Sequence, residues 1–280
     1  MNDFFTFHSN KGGVGKTTIT LNIADALAKQ NKKVLIFDFD SQGSLSNVLK
    51  SNANYNEDDS GKWLKRTSSE QDLENTIQQS KINNIYYVHT NSLLNNVRNS
   101  LLNTTLRELV LSSNLKLMNN YLIKLGIDYV FFDLNPIFDD IAKNVYIASK
   151  TGIIQVVEPH IFSLQGLNVM LSEWKNNTRE LGLNDNIQGI ILNRIKSNKL
   201  SKDFFYFLHE EYGDRTLKTF VPDNIGMATS TISLAFSTDI ATLNKWKRPK
   251  WVLESEYKDY IKDGNPIENL ITELQSRNIL

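Results

Sequence analysis

The sequence predicts a doubly wound α/β fold, a mostly parallel sheet with helices on both faces. Three observations predict it: short β-rich apolar runs recur along the chain, helical patterns separate them, and the first run leads through a glycine-rich loop into an amphipathic segment. Runs that are apolar throughout, instead of alternating, suit strands covered by helices on both sides.

Strands are expected in order at Phe4 to His8, Val34 to Phe37, Ile85 to Val88, Tyr129 to Phe132, Ile153 to Val157, Ile190 to Leu192 and Leu217 to Val221. After the first, Ile19, Ile23 and Leu27 recur every fourth residue with Ala24 and Ala28 alongside, one apolar stripe for a helix laid on the sheet. Residues 51–70, with Asn52, Asn54, Asn56, Glu57, Asp58, Asp59, Ser60 and Gly61, are polar and aperiodic and read as a surface excursion. No internal repeat or linker breaks the chain, so residues 1–280 are expected as a single domain with a C-terminal extension from about residue 240.

With 280 residues the chain is long enough to bury one large core. Lys plus Arg and Asp plus Glu both total 31, so any contact with nucleic acid must come from a local patch. The absence of cysteine excludes disulfides, thiolate catalysis and cysteine-held clusters, and His8, His89, His160 and His209 lack ligand-like spacing. No run approaches the roughly 20 apolar residues that span a bilayer, the Met1-Asn2-Asp3 start has no basic region, and Asn2 stands where myristoylation needs glycine. A cytoplasmic protein is expected.

The stretch Ser9-Asn10-Lys11-Gly12-Gly13-Val14-Gly15-Lys16-Thr17-Thr18 lies between a predicted strand and a predicted helix. Glycines let backbone N–H groups converge on phosphate oxygens, the helix start adds partial positive charge and Lys16 a full one, and Thr17 is placed to bind Mg2+ through its hydroxyl. The residues from Lys11 through Thr18 therefore form the candidate binding loop for a triphosphate. The strict G-x-x-x-x-G-K-[ST] pattern would begin at position 10, where this chain has Asn10, and an extra lysine, Lys11, precedes the double glycine.

That K-G-G-x-G-K-[ST] form resembles the deviant phosphate loop of the ParA/MinD family of P-loop ATPases. The resemblance implies that Lys16 acts on the nucleotide of its own chain and Lys11 on that of a dimer partner.

Two acidic strand ends extend it. Ligands of open parallel sheets bind beyond the carboxyl ends of the strands, so Asp38 and Asp40 in Val34-Leu35-Ile36-Phe37-Asp38-Phe39-Asp40-Ser41-Gln42-Gly43 are expected beside the phosphate loop. The stretch resembles the family's D-x-D-P-Q-G, with Ser41 in place of proline, which implies that Asp40 positions the attacking water and Asp38 serves the outer shell of the metal. Asp133, closing the apolar run Tyr129 to Phe132, has the character of a carboxylate that reaches Mg2+ through water; the resemblance here is to a strand followed by D-x-P-P, with Asn135 replacing the first proline. Val157-Glu158-Pro159 and Ser163-Leu164-Gln165-Gly166-Leu167 look like the family segment near the dimer face. By the same resemblance Asn193, Pro222 and Asp223 are candidates for contact with the base, with packing or a turn as the competing reading.

The family implies a cycle: ATP and Mg2+ close a homodimer, the dimer binds DNA non-specifically, and a ParB-like partner stimulates hydrolysis. The phosphate loop's early position implies the short, Soj-like kind, cytoplasmic and nucleoid-associated. The arginines that Soj-like proteins carry near the last strand have no counterpart in Pro222-Asp223-Asn224-Ile225-Gly226-Met227. The candidate replacement is Lys245, Lys247, Arg248 and Lys250, interleaved with Trp246 and Trp251 and helped by Lys196, Lys199 and Lys202; a solvated turn with its tryptophans packed on the core competes with it. Two other functions stand beside partition: a MinD-like ATPase that cycles on membranes, and an ATPase that positions a protein cargo on the nucleoid. The membrane reading needs a basic amphipathic C-terminal helix, whereas Ile267, Leu270, Ile271 and Leu274 form a stripe beside Glu268, Glu273 and Arg277, so a docked helix is expected.

Overall fold

A computed structural model describes residues 3–50, 59–223, 234, 247–253, 255–257 and 261–280. Its strands are β1 (Asp3–His8), β2 (Val34–Phe39), β3 (Gln78–Gln79), β4 (Ile85–Val88), β5 (Tyr129–Leu134), β6 (Gly152–Val157) and β7 (Ile187–Leu192), in the sheet order β3-β4-β2-β5-β1-β6-β7. β2 runs parallel to both β4 and β5, β1 parallel to β5, and β6 parallel to β7; the two-residue β3 is an antiparallel edge on β4. The helices of the doubly wound pattern are α1 (Lys16–Lys29), α2 (Ser44–Leu49), α3 (Asp59–Lys62), α4 (Glu70–Glu74), α5 (Leu94–Leu101), α6 (Val110–Leu117), α7 (Asn119–Leu125), α8 (Asp140–Ala148), α9 (Ile161–Leu181) and α10 (Lys199–Tyr212).

The chain divides into two compact units, one of residues 1–7 and 24–151, the other of residues 8–23 and 152–280. In the first, every residue of β2 is buried, and Phe37 stacks on Phe132 with centroids 5.3 Å apart and meets Trp63 edge-on at 4.7 Å. In the second, β6 is buried along its whole length and β7 exposes only Gln188, as strands covered on both faces require. The α1 stripe of Ile19, Ile23, Ala24, Leu27 and Ala28 is buried as its spacing predicts.

Two expectations are corrected. Residues 51–58 of the predicted excursion lie outside the described residues, but 59–64 are not surface: Ser60 and Trp63 are fully buried, Leu64 nearly so, and the Trp63 indole N–H donates to Thr76 Oγ1 at 2.8 Å. A lone tryptophan with no periodic neighbours leaves no pattern, yet the apolar face of Phe37 gives it a place. Leu217 to Val221 forms no regular strand; it runs beside β7 through Leu217 N to Ile190 O and Val221 N to Leu192 O, each at 2.9 Å, with one bridge at Thr216 and another at Pro222.

The C-terminal helix, Pro266–Ser276, is docked. Ile267, Leu270, Ile271 and Leu274 are all buried, and the Glu273 carboxylate accepts from the backbone N–H of Lys218 and Thr219 at 2.8 and 2.6 Å. Among the described residues no helix is long and apolar enough to cross a membrane.

Candidate active site

The phosphate loop follows from where β1 ends and α1 begins. Ser9 to Gly15 must reverse the chain between them, and Gly13 and Gly15 do so at φ of 75° and 94°, a region that strains any residue with a Cβ. Ile19 N donates to Gly15 O at 2.9 Å, so the helix starts directly from the loop. Lys16, at the first helical position, is 7% exposed, whereas Gly12 and Gly13 face solvent and Thr17 and Thr18 are half-buried. A helix start, exposed glycines and a sheltered lysine are the parts from which an anion cradle is built.

Three residues of the same unit hold the loop. Asn193, just past β7, donates its side-chain amide to Val14 O at 2.6 Å and accepts Arg194 N on its carbonyl at 2.9 Å. A Cβ added at Gly15 would collide with that amide, so the glycine serves close approach as well as φ. Asn10 occupies the position of the missing first glycine, and Gly166 of α9 lies against it, with room for a Cβ only 3.3 Å from that of Asn10. Glu158, just past β6, accepts Lys11 Nζ on Oε1 and Arg194 Nη1 on Oε2, the latter at 3.3 Å. Burial pushes the Glu158 carboxyl up, but Lys11 and then Arg194 more than offset this and hold it below the usual glutamate range.

Of the base-side candidates, Asn193 uses one amide N–H on Val14 O and its carbonyl on Arg194 N, and so buttresses the loop. Pro222 is buried and bridged to Ile195, and the exposed Asp223 lies 3.3 Å from Lys196 Nζ.

The carboxylates are built by the first unit. Asp38 and Asp133 are register partners on β2 and β5, both essentially buried. Asp38 accepts Asp40 N at 3.0 Å, Ser46 N at 2.9 Å and Ser46 Oγ at 2.7 Å. Burial, then the charge of Asp133, raise its pKa to about 7 against the pull of these hydrogen bonds. Two acids facing each other in a dry strand end fit a divalent cation or a shared proton. Asp40 is half-buried and accepts Gln42 N at 3.0 Å. Nothing in the sequence marked Ser46; only the return of α2 onto β2 brings it to Asp38.

The basic cluster is reshaped. Lys245 and Trp246 lie outside the described residues. Lys247 and Arg248 both lie near Asp263, at 3.6 and 3.9 Å, and Arg248 also donates to Ile261 O at 2.9 Å. Trp251, in the helix Lys250–Leu253, stacks on Phe220 at 5.7 Å and approaches Phe205 at 5.5 Å, so this aromatic packs on the core; Lys250 is exposed.

A family described as an AAA domain matches residues 3–189. The chain belongs to that family, as a ParA/Soj-type P-loop ATPase. Among similar proteins is the chromosome-partitioning ATPase Soj of Treponema pallidum, 25% identical, with 81% of this chain and 86% of that protein aligned. Apo McdA from Cyanothece has the same fold at a TM-score of 0.75 and 18% identity, covering 98% of this chain and all of the other. A plasmid partition protein of Borrelia burgdorferi bound to AMPPNP matches at a TM-score of 0.66 and 21% identity, over 99% of each chain.

Proposed function

We propose that this ParA/Soj-family member is a Mg2+-dependent ATPase for plasmid or chromosome partition. ATP closes a homodimer, the dimer binds DNA without sequence preference, and a ParB-like partner stimulates hydrolysis and release. The observation that carries the reading is the loop itself, a sheltered Lys16 at the start of α1 preceded by Lys11 and an open double glycine.

In this reading Gly12, Gly13, Val14, Gly15 and Thr18 offer backbone N–H groups to the phosphates, Lys16 neutralises them in the same chain, and Lys11 does so for the partner's nucleotide. By resemblance to the family, the Thr17 hydroxyl would hold Mg2+ directly and Asp133 and Asp38 would act from its outer shell; the ion would supply neutralisation of phosphate charge. Asp40, exposed enough to meet solvent, orients the attacking water. Asn193, Pro222 and Asp223 are the base-side candidates. Lys245, Lys247, Arg248 and Lys250, with Lys196, Lys199 and Lys202, are the proposed DNA contacts, through charge and not through stacking on Trp251.

A membrane-cycling function has less support, because the apolar stripe of the C-terminal helix is already buried. The deciding experiment is binding to non-specific duplex DNA with ATP, with ADP and without nucleotide, at about 50 and 200 mM salt. ATP-restricted binding that weakens steeply with salt is the expected result. Binding in no state would overturn the partition reading and leave the P-loop ATPase family untouched.

A further inference from the structure

Glu158 touches two cations that belong to different parts of the chain. Lys11 comes from the phosphate loop and Arg194 from the turn after β7, and each takes a separate oxygen of the same carboxylate. The Glu158 side chain is only 15% exposed and Lys11 27%, so the pair is shielded from the screening that makes surface ion pairs nearly worthless. The carboxylate lies below its usual pKa, so it is charged near neutrality.

Arg194 is held at a φ of 58°, a left-handed conformation costly for a side chain of its size. Its backbone N–H is anchored by the Asn193 carbonyl at 2.9 Å. The turn that buttresses Val14 therefore also places the second cation on Glu158.

We propose that Glu158 is a latch that keeps Lys11 on its own chain in the nucleotide-free monomer, and that Arg194 is the stand-by partner that lets the latch open. This rests on the proposed role of Lys11 in trans. A lysine tied down in cis must be withdrawn before it can serve a second subunit, so the latch opposes dimer closure until a triphosphate offers a stronger anion. Withdrawal would ordinarily strand a half-buried carboxylate, which is costly. Arg194 remains on the other oxygen and compensates it. The two residues thus set the closing equilibrium from opposite sides, which is the differential stabilisation a two-state switch needs.

The test is the protein concentration at which the full-length chain dimerises with ATP, by analytical ultracentrifugation, for wild type, Glu158→Gln, Arg194→Ala, Lys11→Ala and Lys11→Ala/Glu158→Gln. Glu158→Gln is expected to dimerise about fivefold more readily, the scale of a partly shielded ion pair. Arg194→Ala is expected to dimerise less readily, because Glu158 then has Lys11 alone. In the Lys11→Ala background Glu158→Gln is expected to change nothing. Movement of both single variants in the same direction, or no movement in either, would overturn the latch. Absence of an ATP-dependent dimer in the wild type would overturn the role of Lys11 in trans instead. Binding of a fluorescent ATP analogue by each monomer separates these outcomes from misfolding.

Discussion

Asn193 donates its side-chain amide to the carbonyl of Val14 across 179 residues of sequence, so the turn after β7 sets the shape of the phosphate loop. The acceptor is buried, and an amide lost from it leaves a carbonyl without that donor. Asn193→Ala is therefore expected to weaken nucleotide binding by about 1 to 3 kcal/mol, roughly five- to hundredfold, measured with a fluorescent ATP analogue. Gly15→Ala should do worse, because its Cβ meets Asn193 and its φ of 94° is strained. Unchanged affinity in both variants would contradict the buttress.

The two loop lysines differ in environment, and their substitutions should separate. Lys16→Ala is expected to abolish nucleotide binding even in the monomer. Lys11→Ala is expected to bind nucleotide and keep its melting temperature, but to lose the turnover that rises with protein concentration. Full turnover in Lys11→Ala would refute its action in trans.

Asp38 gives a dependence on pH. Its native pKa of about 7 is above the ordinary aspartate value of 3.8, so between the two the native state holds a proton that the unfolded state has released. That contribution to stability is complete below about pH 4 and is lost as pH rises through 7. His209 runs the other way: burial lowers its pKa to about 4, so its contribution falls as pH drops below the usual histidine value. Comparison with Asp38→Asn isolates the first: without metal, the wild type should lose melting temperature relative to the variant as pH rises from about 5 to 8. Parallel curves would show that Asp38 is ionised throughout.

Trp63 tests whether the middle of the chain is core or decoration. With no exposure and an edge-on contact to Phe37, Trp63→Ala should cost about 3 to 5 kcal/mol in urea denaturation, the scale of a buried aromatic. A loss under about 0.5 kcal/mol would restore the surface reading.

The legible parts of the fold were those written in neighbouring residues. β4 lies on the predicted Ile85 to Val88, and β1, β2, β5, β6 and β7 contain their predicted runs, because a strand covered on both faces needs continuous apolar residues whatever its neighbours are. The short edge β3 was missed, since Gln78–Gln79 has no apolar signature and exists only because β4 offers an open edge. Trp251 was ambiguous for the same reason: a tryptophan amid lysines reads as a nucleic-acid contact until Phe205 and Phe220 are placed beneath it.

The sequence by itself determined the fold class, the phosphate loop and the acidic strand ends, since glycine spacing, the strand-to-helix switch and an acid closing an apolar run are local requirements of backbone geometry and burial. Only the tertiary structure decided what Asn193, Glu158, Ser46 and Trp63 do. Glu158 meets Lys11 from 147 residues away and Asp38 meets Asp133 through strand register, so the lowered pKa of Glu158 and the raised pKa of Asp38 are properties of the packed sheet. No local pattern records them, because the chain pays the entropy of bringing distant groups together only once the whole sheet forms.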